Sequence, residues 1–276
     1  MARSDPRNSA QYWWDRHLTG LSLLNADFTT HEYPLHTHDA LVVAMTEQGG
    51  SIVRSRGKIE EATPATLFVF NPEEPHAGRM GWSERWKYRS MYLTRPALAR
   101  LAQDLGVEEI PYFTRNVFAD RDLIDAFLAM HLAIEEGRDM FGERELLISS
   151  FGRLFQRYGS GAPIKTAPRD RALFDRVKER MRAEYALDLR LEELAADVGL
   201  TTFQLIGLFK RTVGLTPHAY LTQTRLGLAC RHLRHARPLA DVATDVGFYD
   251  QSALTKHFKR CYGITPLQFA RAAAAA

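Results

Sequence analysis

The period of the hydrophobic and polar positions changes along the chain. Between residues 21 and 93 the apolar runs are short: LVVAM at 41–45, SIVRS at 51–55, TLFVF at 66–70 and YRSMYL at 88–93, separated by Gly49-Gly50, Gly57, Pro64 and Asn71-Pro72. Strands of this length and spacing predict a small antiparallel barrel or sandwich over residues 20–94. From residue 121 the period becomes helical. Leu123, Phe127 and Met130 form one stripe over 121–135, and Leu146, Leu147, Phe151, Leu154 and Phe155 a second over 143–158, with a turn near Gly137. The second stripe is wider than one partner helix requires, which predicts that the helical pair packs against a second subunit. GSGAPIKTAPRD at 159–170 reads as a Gly/Pro linker.

The last third states one pattern twice. LAADVGLTTFQLIGLFKRTVGLTP at 194–217 returns as VATDVGFYDQSALTKHFKRCYGITP at 242–266, with one residue added after the turn glycine. Leu194, Ala195 and Val198 fall on one helical face, Gly199 permits a left-handed turn, and Leu205, Leu208 and Phe209 stand where a second helix would bury them. Val242, Ala243, Val246, Gly247, Phe248, Leu254 and Phe258 repeat this arrangement. Thr201 and Asp250 precede the longer helix of each copy as caps, and Thr201 with Gln204 has the spacing of a capping box. Each copy is therefore a helix-turn-helix unit.

Two such units on one basic surface read neighbouring stretches of major groove. The face opposite the packed positions is the one offered to DNA. In the second unit it carries Gln251, Ser252, Thr255, Lys256 and Lys259, all able to donate hydrogen bonds to bases or phosphates. In the first it carries Thr202, Phe203, Ile206, Gly207 and Lys210, with Arg211 beside them; Phe203 and Ile206 suit thymine methyl groups, and Lys210 and Arg211 suit phosphates.

The segment from about Leu191 to Arg271 resembles the DNA-binding domain of the AraC/XylS family of bacterial transcription regulators. The match rests on Gly247-Phe248, Ser252, Leu254, Lys256, Phe258-Lys259, Gly263 and Thr265-Pro266, and it runs through both units and the helix between them. The family commonly has an arginine where Gly207 stands. PLHTHDALVV at 34–43 and FNPEEPHAGR at 70–79 are similar to the two cupin-like motifs of the effector-binding domain in these regulators, with His36, His38 and His76 at the motif histidines. In metal cupins three such histidines and a glutamate hold a transition metal. Here Val42, Val43 and Ala44 occupy the stretch where the glutamate would stand, so the histidines are expected to serve as polar contacts for an organic effector, with no metal or other cofactor. Trp82, Trp86 and Tyr88 follow as candidates for the pocket mouth or the core.

Charge divides the chain in the same way. Residues 167–276 hold 17 Lys and Arg against 11 Asp and Glu, whereas residues 1–166 hold 19 against 22, so an anionic partner belongs to the C-terminal part. No stretch approaches the roughly 20 apolar residues of a membrane span, and MARSDPRNSAQYWWDR has no apolar signal core, which predicts a cytoplasmic protein with no membrane contact. Cys230 and Cys261 lie inside helical patterns and read as small buried apolar side chains. The expected fold is α+β: a cupin-like β-barrel with a helical dimerisation pair over 1–158, a linker over 159–170, and an all-α double helix-turn-helix domain over 171–276. The resemblance implies double-stranded DNA, a small-molecule effector, a second copy of the chain and RNA polymerase as partners. An effector would act by changing how the DNA-binding domains of a dimer are spaced. A metal-dependent cupin enzyme fused to a DNA-binding domain, and a regulator that needs no effector, remain as alternatives, although a catalytic cupin gains nothing from a complete DNA-reading domain.

Overall fold

The computed structural model describes residues 7–161, 163–165, 170–235 and 237–274. The chain forms two compact units, Met1–Ile164 and Lys165–Ala276. Residues 162 and 166–169 of the expected linker lie outside the described residues.

In the first unit the alternating runs become strands β1 (Ser9–Trp14), β2 (Leu21–Phe28), β3 (Glu32–His36), β4 (Leu41–Gln48), β5 (Ser51–Ser55), β6 (Lys58–Ala62), β7 (Leu67–Phe70), β8 (His76–Met80), β9 (Trp86–Leu93) and β10 (Val117–Phe118). They build two antiparallel sheets, ordered β1-β2-β9-β4-β7-β10 and β3-β8-β5-β6. Among the described residues no strand pairing joins the two sheets, so the expected closed barrel is instead an open pair of sheets. Closure needs edge-to-edge pairing. Here β1, which precedes the predicted start of the barrel, widens the larger sheet by pairing with residues 22–27 of β2, and the smaller sheet is made of four strands of five residues each.

Helices α1 (Arg95–Leu105), α2 (Arg121–Glu136) and α3 (Met140–Tyr158) complete this unit. Asp120 caps α2 through the Leu123 amide at 3.1 Å, and Gly137 ends the helix in the left-handed conformation. Helix α2 packs on α3 and on β4 and β9. The apolar stripe of α3 is already filled: Leu147 is 3% exposed, while Ile148, Phe151 and Leu154 are fully buried. The expectation that this stripe is held open for a second subunit is therefore corrected. It is wide because nearly the whole circumference of α3, Glu143 and Glu145 included, is buried.

The second unit contains α4 (Arg171–Ala183), α5 (Leu191–Ala196), α6 (Thr202–Val213), α7 (Pro217–Arg234), α8 (Leu239–Asp245), α9 (Gln251–Tyr262) and α10 (Pro266–Ala274). Pairs α5–α6 and α8–α9 are the two helix-turn-helix units, and α7 packs against members of both. At one end Phe174 of α4, Phe209 of α6 and Tyr220 of α7 meet edge to face, with centroids 4.8–6.0 Å apart. At the other end Leu226, Ala229 and Leu233 of α7 are buried with Val242, Ala243, Val246, Phe248, Leu254 and Phe258. Cys230 packs at the edge of this cluster, but Cys261 is exposed, contrary to its expected burial, because it follows Arg260 on the solvent side of α9.

The two turn glycines are not equivalent. Gly199 has φ +66° and open space where a Cβ would stand; Gly247 has φ +89°, and a Cβ there would come within 2.8 Å of the Tyr185 carbonyl oxygen and 2.9 Å of Arg225 Nε. Arg225 donates from Nε to Tyr185 O at 2.7 Å and from a terminal nitrogen to Leu187 O at 3.2 Å. The turn between α8 and α9 thus rests on the 185–187 segment that leads into α5.

Two outcomes are expected. Gly247→Ala should destabilise the second unit clearly more than Gly199→Ala, since the first adds a backbone clash to the strain of positive φ; equal shifts in thermal midpoint would contradict this packing. Leu154→Ala should cost about 2–5 kcal/mol, and Leu147→Glu should prevent folding of the first unit rather than release a folded monomer, as read by denaturant titration and sedimentation.

Candidate ligand pocket and nucleic-acid interface

The inward faces of the two sheets enclose a cavity of about 150 Å³, the size of an engineered protein cavity that holds one benzene ring. Side-chain alternation builds it. On β9, Trp86, Tyr88, Ser90 and Tyr92 line the cavity, while Arg89 between them meets Glu135 and His131 of α2. Tyr33 of β3 and Tyr88 of β9 join their hydroxyls at 2.6 Å across the cavity. Trp86 stacks on Tyr88 with centroids 4.3 Å apart. His36 and His76 are direct partners in the β3–β8 register, and His38 lies two residues further on. Ring centroids of the three histidines are 4.5–5.3 Å apart.

His36, His38, His76, Trp86 and Tyr88 all line this one cavity. Trp82 does not; it is 95% exposed. The sequence reading missed Tyr33, Phe70, Ser90 and Tyr92. The alternation Tyr88-x-Ser90-x-Tyr92 was the available signal for two of these, and Phe70 stacks on His76 at 4.1 Å.

The wall beneath His76 is held by a buried carboxylate. Glu74 accepts from Ser55 Oγ at 2.9 Å, Asn71 Nδ2 at 2.8 Å, Asn116 Nδ2 at 2.6 Å, and Arg56 Nε and a terminal guanidinium nitrogen at 2.9 and 2.6 Å. Burial alone would raise its pKa, but these bonds outweigh it and hold the group at about 2. Burial, reinforced by the neighbouring His76 and His36, lowers His38 to about 4. His76 is lowered as well, by burial first. On the far side of β9, burial and Arg89 bring His131 to about 4; its Nε2 donates to Leu24 O at 3.2 Å and its Nδ1 accepts from Arg89 at 3.1 Å.

The residues expected to face the groove lie on α6 and α9. Thr201 accepts from the Gln204 amide at 3.2 Å while the Gln204 side chain accepts from the Thr201 amide at 3.0 Å, so the capping box is formed. Asp250 caps α9 through Ala253 N at 2.7 Å. On α9, Gln251, Ser252, Lys256, Lys259 and Arg260 are exposed, and Thr255 is half-buried with its hydroxyl donating to Gln251 O. On α6 two assignments are corrected. Thr202 is 3% and Ile206 2% exposed, so neither faces outward. At 100° per residue they share a stripe with buried Phe209, and the buried arc is wider than the Leu205, Leu208 and Phe209 seam alone. Phe203 and Gly207 are half-buried and Lys210 and Arg211 exposed. Arg211 folds back over Gly207, its terminal nitrogens 3.2 and 3.5 Å from where a Cβ would stand. A guanidinium therefore covers the position that lacks an arginine.

These pKa directions give two separate acid transitions. His38 and His131 are held near 4 against an ordinary 6.5, so the unfolded chain takes up protons that the folded chain refuses. Their contribution is complete above pH 6.5 and is lost as pH falls towards 4. Glu74, held at about 2 against 4.5, contributes above pH 4.5 and is lost towards pH 2. Glu74→Gln should cost about 3 kcal/mol at neutral pH and remove only the lower transition, as followed by urea unfolding with tryptophan fluorescence between pH 7 and 2.

Residues 18–151 match the AraC-like ligand binding domain family and residues 194–272 the helix-turn-helix domain family. The chain is similar to the HTH-type transcriptional regulator YbfI of Bacillus subtilis, with 25% identity over 222 residues, 80% of this chain and 81% of that protein. The probable transcriptional regulator LumQ of Photobacterium leiognathi is 35% identical over 82 residues, 29% of this chain and 33% of its own length. Among solved structures, unsaturated fatty acid bound ToxT from Vibrio cholerae aligns over 100% of this chain and 99% of its own, at 9% identity and a TM-score of 0.38. No described helix is long and apolar enough to cross a membrane. With a ligand-binding family match over the sheets and a helix-turn-helix match over both reading units, the chain belongs to the AraC family of DNA-binding transcription regulators.

Proposed function

We propose that residues 171–276 read two adjacent major-groove segments through α6 and α9, and that residues 1–158 set this binding according to a small effector held between the two sheets, with 159–170 as the connection. The observation that carries the reading is the outward face of α9. Gln251, Ser252, Lys256 and Lys259 are exposed together, while Leu254 and Phe258 of the same helix are fully buried. A side-chain amide, which donates and accepts at once, and lysines are the groups that read base edges and anchor phosphates. On α6 the contact falls to Phe203, Lys210 and Arg211, with the Arg211 guanidinium over Gly207 taking the central place.

The cavity supports the effector half of the reading. His36, His38, His76, Tyr33, Tyr88 and Ser90 offer polar contacts inside aromatic and aliphatic walls. Strand β9 links the cavity to α2: Tyr88 and Ser90 face the ligand space, and Arg89 between them is bonded to Glu135 and His131. A ligand that shifts β9 must also shift this buried bond set, which is a route from pocket to helix. The protein acts as a regulator and not as an enzyme, in the cytoplasm, with RNA polymerase downstream. A second copy of the chain remains part of the reading, with its contact elsewhere than on Leu147 and Leu154, which are buried.

Selection of binding sites from a randomised duplex library at two salt concentrations tests the DNA half. Gln251→Ala and Lys256→Ala should each cost about 1–3 kcal/mol and relax base preference in one segment only. Lys210→Ala should weaken all sequences alike and lower the salt slope by about one unit. Preference that survives Gln251→Ala with Lys256→Ala but collapses with Phe203→Ala would transfer the reading role to the first unit.

A further inference from the structure

We propose that His36, His38 and His76 form a divalent-metal site in the cavity, and that the bound ion holds the oxygen-donor head group of a small anionic effector. This rests on the reading of the cavity as the effector site and replaces the expectation, drawn from the missing glutamate, that the three histidines hold no metal.

Sheet geometry makes the cluster. His36 and His76 stand opposite each other across the β3–β8 pair, and the His-x-His spacing returns His38 to the same side. One ring nitrogen from each of the three lies within 4.8 Å of the others. His36 Nε2 and His38 Nε2 are 3.1 Å apart in a hydrogen bond that His38 donates; an ion about 2.0–2.1 Å from both nitrogens would take the place of that proton, with His38 passing to the tautomer protonated on Nδ1. Closing the widest pair to that separation takes side-chain torsions.

Hydrogen bonding fixes which nitrogens are offered. His36 Nδ1 is 2.7 Å from Pro34 O, and His76 Nδ1 is 2.9 Å from Glu74 O. A carbonyl only accepts, so each Nδ1 carries the proton and each Nε2 keeps its lone pair. An imidazole that donates one ring N–H to a backbone carbonyl while pointing the other nitrogen at a common centre has the support usual for metal-ligating histidine. Stacking of Phe70 at 4.1 Å and 11° further fixes the His76 ring.

Charge selects the ligand. The cavity lining contains no Lys, Arg, Asp or Glu, so an anionic head group would find no counter-charge from the protein. Three neutral imidazoles leave a bound ion its full double charge and open coordination positions, as in three-histidine zinc sites. An all-nitrogen donor set favours ions of the zinc, nickel and cobalt kind over magnesium or calcium. The aromatic walls and the small volume fit one ring bearing a carboxylate.

The test uses the full-length chain without an affinity tag, stripped with a chelator and dialysed against zinc(II) or cobalt(II). Elemental analysis should find one ion per chain, with a visible cobalt spectrum of imidazole coordination; both should be lost in His36→Gln and His76→Gln and retained in Cys230→Ser and Cys261→Ser. Since a histidine variant can fail to fold, each is checked for the wild-type circular dichroism spectrum and thermal midpoint, and a folded variant that keeps its ion overturns the assignment to these three histidines. Benzoate should then stabilise the zinc-loaded chain against heat at least tenfold more tightly than the stripped chain, whereas benzyl alcohol should not distinguish them. Absence of a stoichiometric ion overturns the metal site, and neutral compounds that still stabilise the stripped chain would leave the effector reading standing. A bound ion with no gain for benzoate overturns the head-group assignment; if no organic compound binds either form, the effector reading falls with it.

Discussion

Helix α7 has to bury two different stripes at once, and the DNA-reading unit is built around that requirement. Its first half meets Phe174 and Phe209, while its second half supplies Leu226, Ala229 and Leu233 to the core of the second helix-turn-helix pair. Rotating either pair about α7 would expose one of these stripes, at about 25 cal/mol for each Å² of apolar surface returned to water. Arg225 adds a directional bond from α7 to the 185–187 connection, and Gly247 lets the second turn approach that bond closely. Hence α6 and α9 are held by packing on a common axle and not by the flexibility of the chain between them.

The first unit uses another device, in which one strand serves two environments. Because side chains alternate along β9, Tyr88, Ser90 and Tyr92 line the cavity while Arg89 and Met91 are buried towards the helices. The helix side is polar and ion-paired: Arg89 is bonded to Glu135 and His131 and pairs with Glu47, and His131 is bonded to Leu24 O. The cavity side is apolar except at the histidines, the tyrosines and the hydroxyls of Thr46, Ser51 and Ser90. Glu74 does for the pocket wall what Arg225 does for the DNA-reading unit, drawing the 55–56, 71–74 and 113–116 segments onto one buried carboxylate.

Much of this was legible in the sequence where a short-range pattern decides the outcome. The repeat of Leu205, Leu208 and Phe209 by Leu254 and Phe258, the Thr201–Gln204 box and the Asp250 cap are local, and all are formed. The clustering of His36 with His38 and His76 was likewise readable from the paired motifs. What could not be read was burial decided by distant partners. Ile206 looks like a groove residue on a wheel centred on Leu205 and Leu208, yet it is buried with Thr202. The stripe of Leu147 and Leu154 looks like an interface until nearly all of α3 is seen to be buried. Open sheets in place of a closed barrel follow from edge pairing, which no local period encodes. Arg211 over Gly207 is a contact one helical turn away, and it returns a guanidinium to the position where the family commonly has an arginine.

The central claim is that a rigid α7 presents α6 and α9 to one side of the duplex, about one helical turn apart. Hydroxyl-radical footprinting of the full chain on a selected site measures this directly. The account predicts two protected patches for each bound chain, on the same face, with their centres about 10 base pairs apart and the same separation within a chain whether or not an effector is bound. A single patch, or two whose separation changes with ligand, would contradict it.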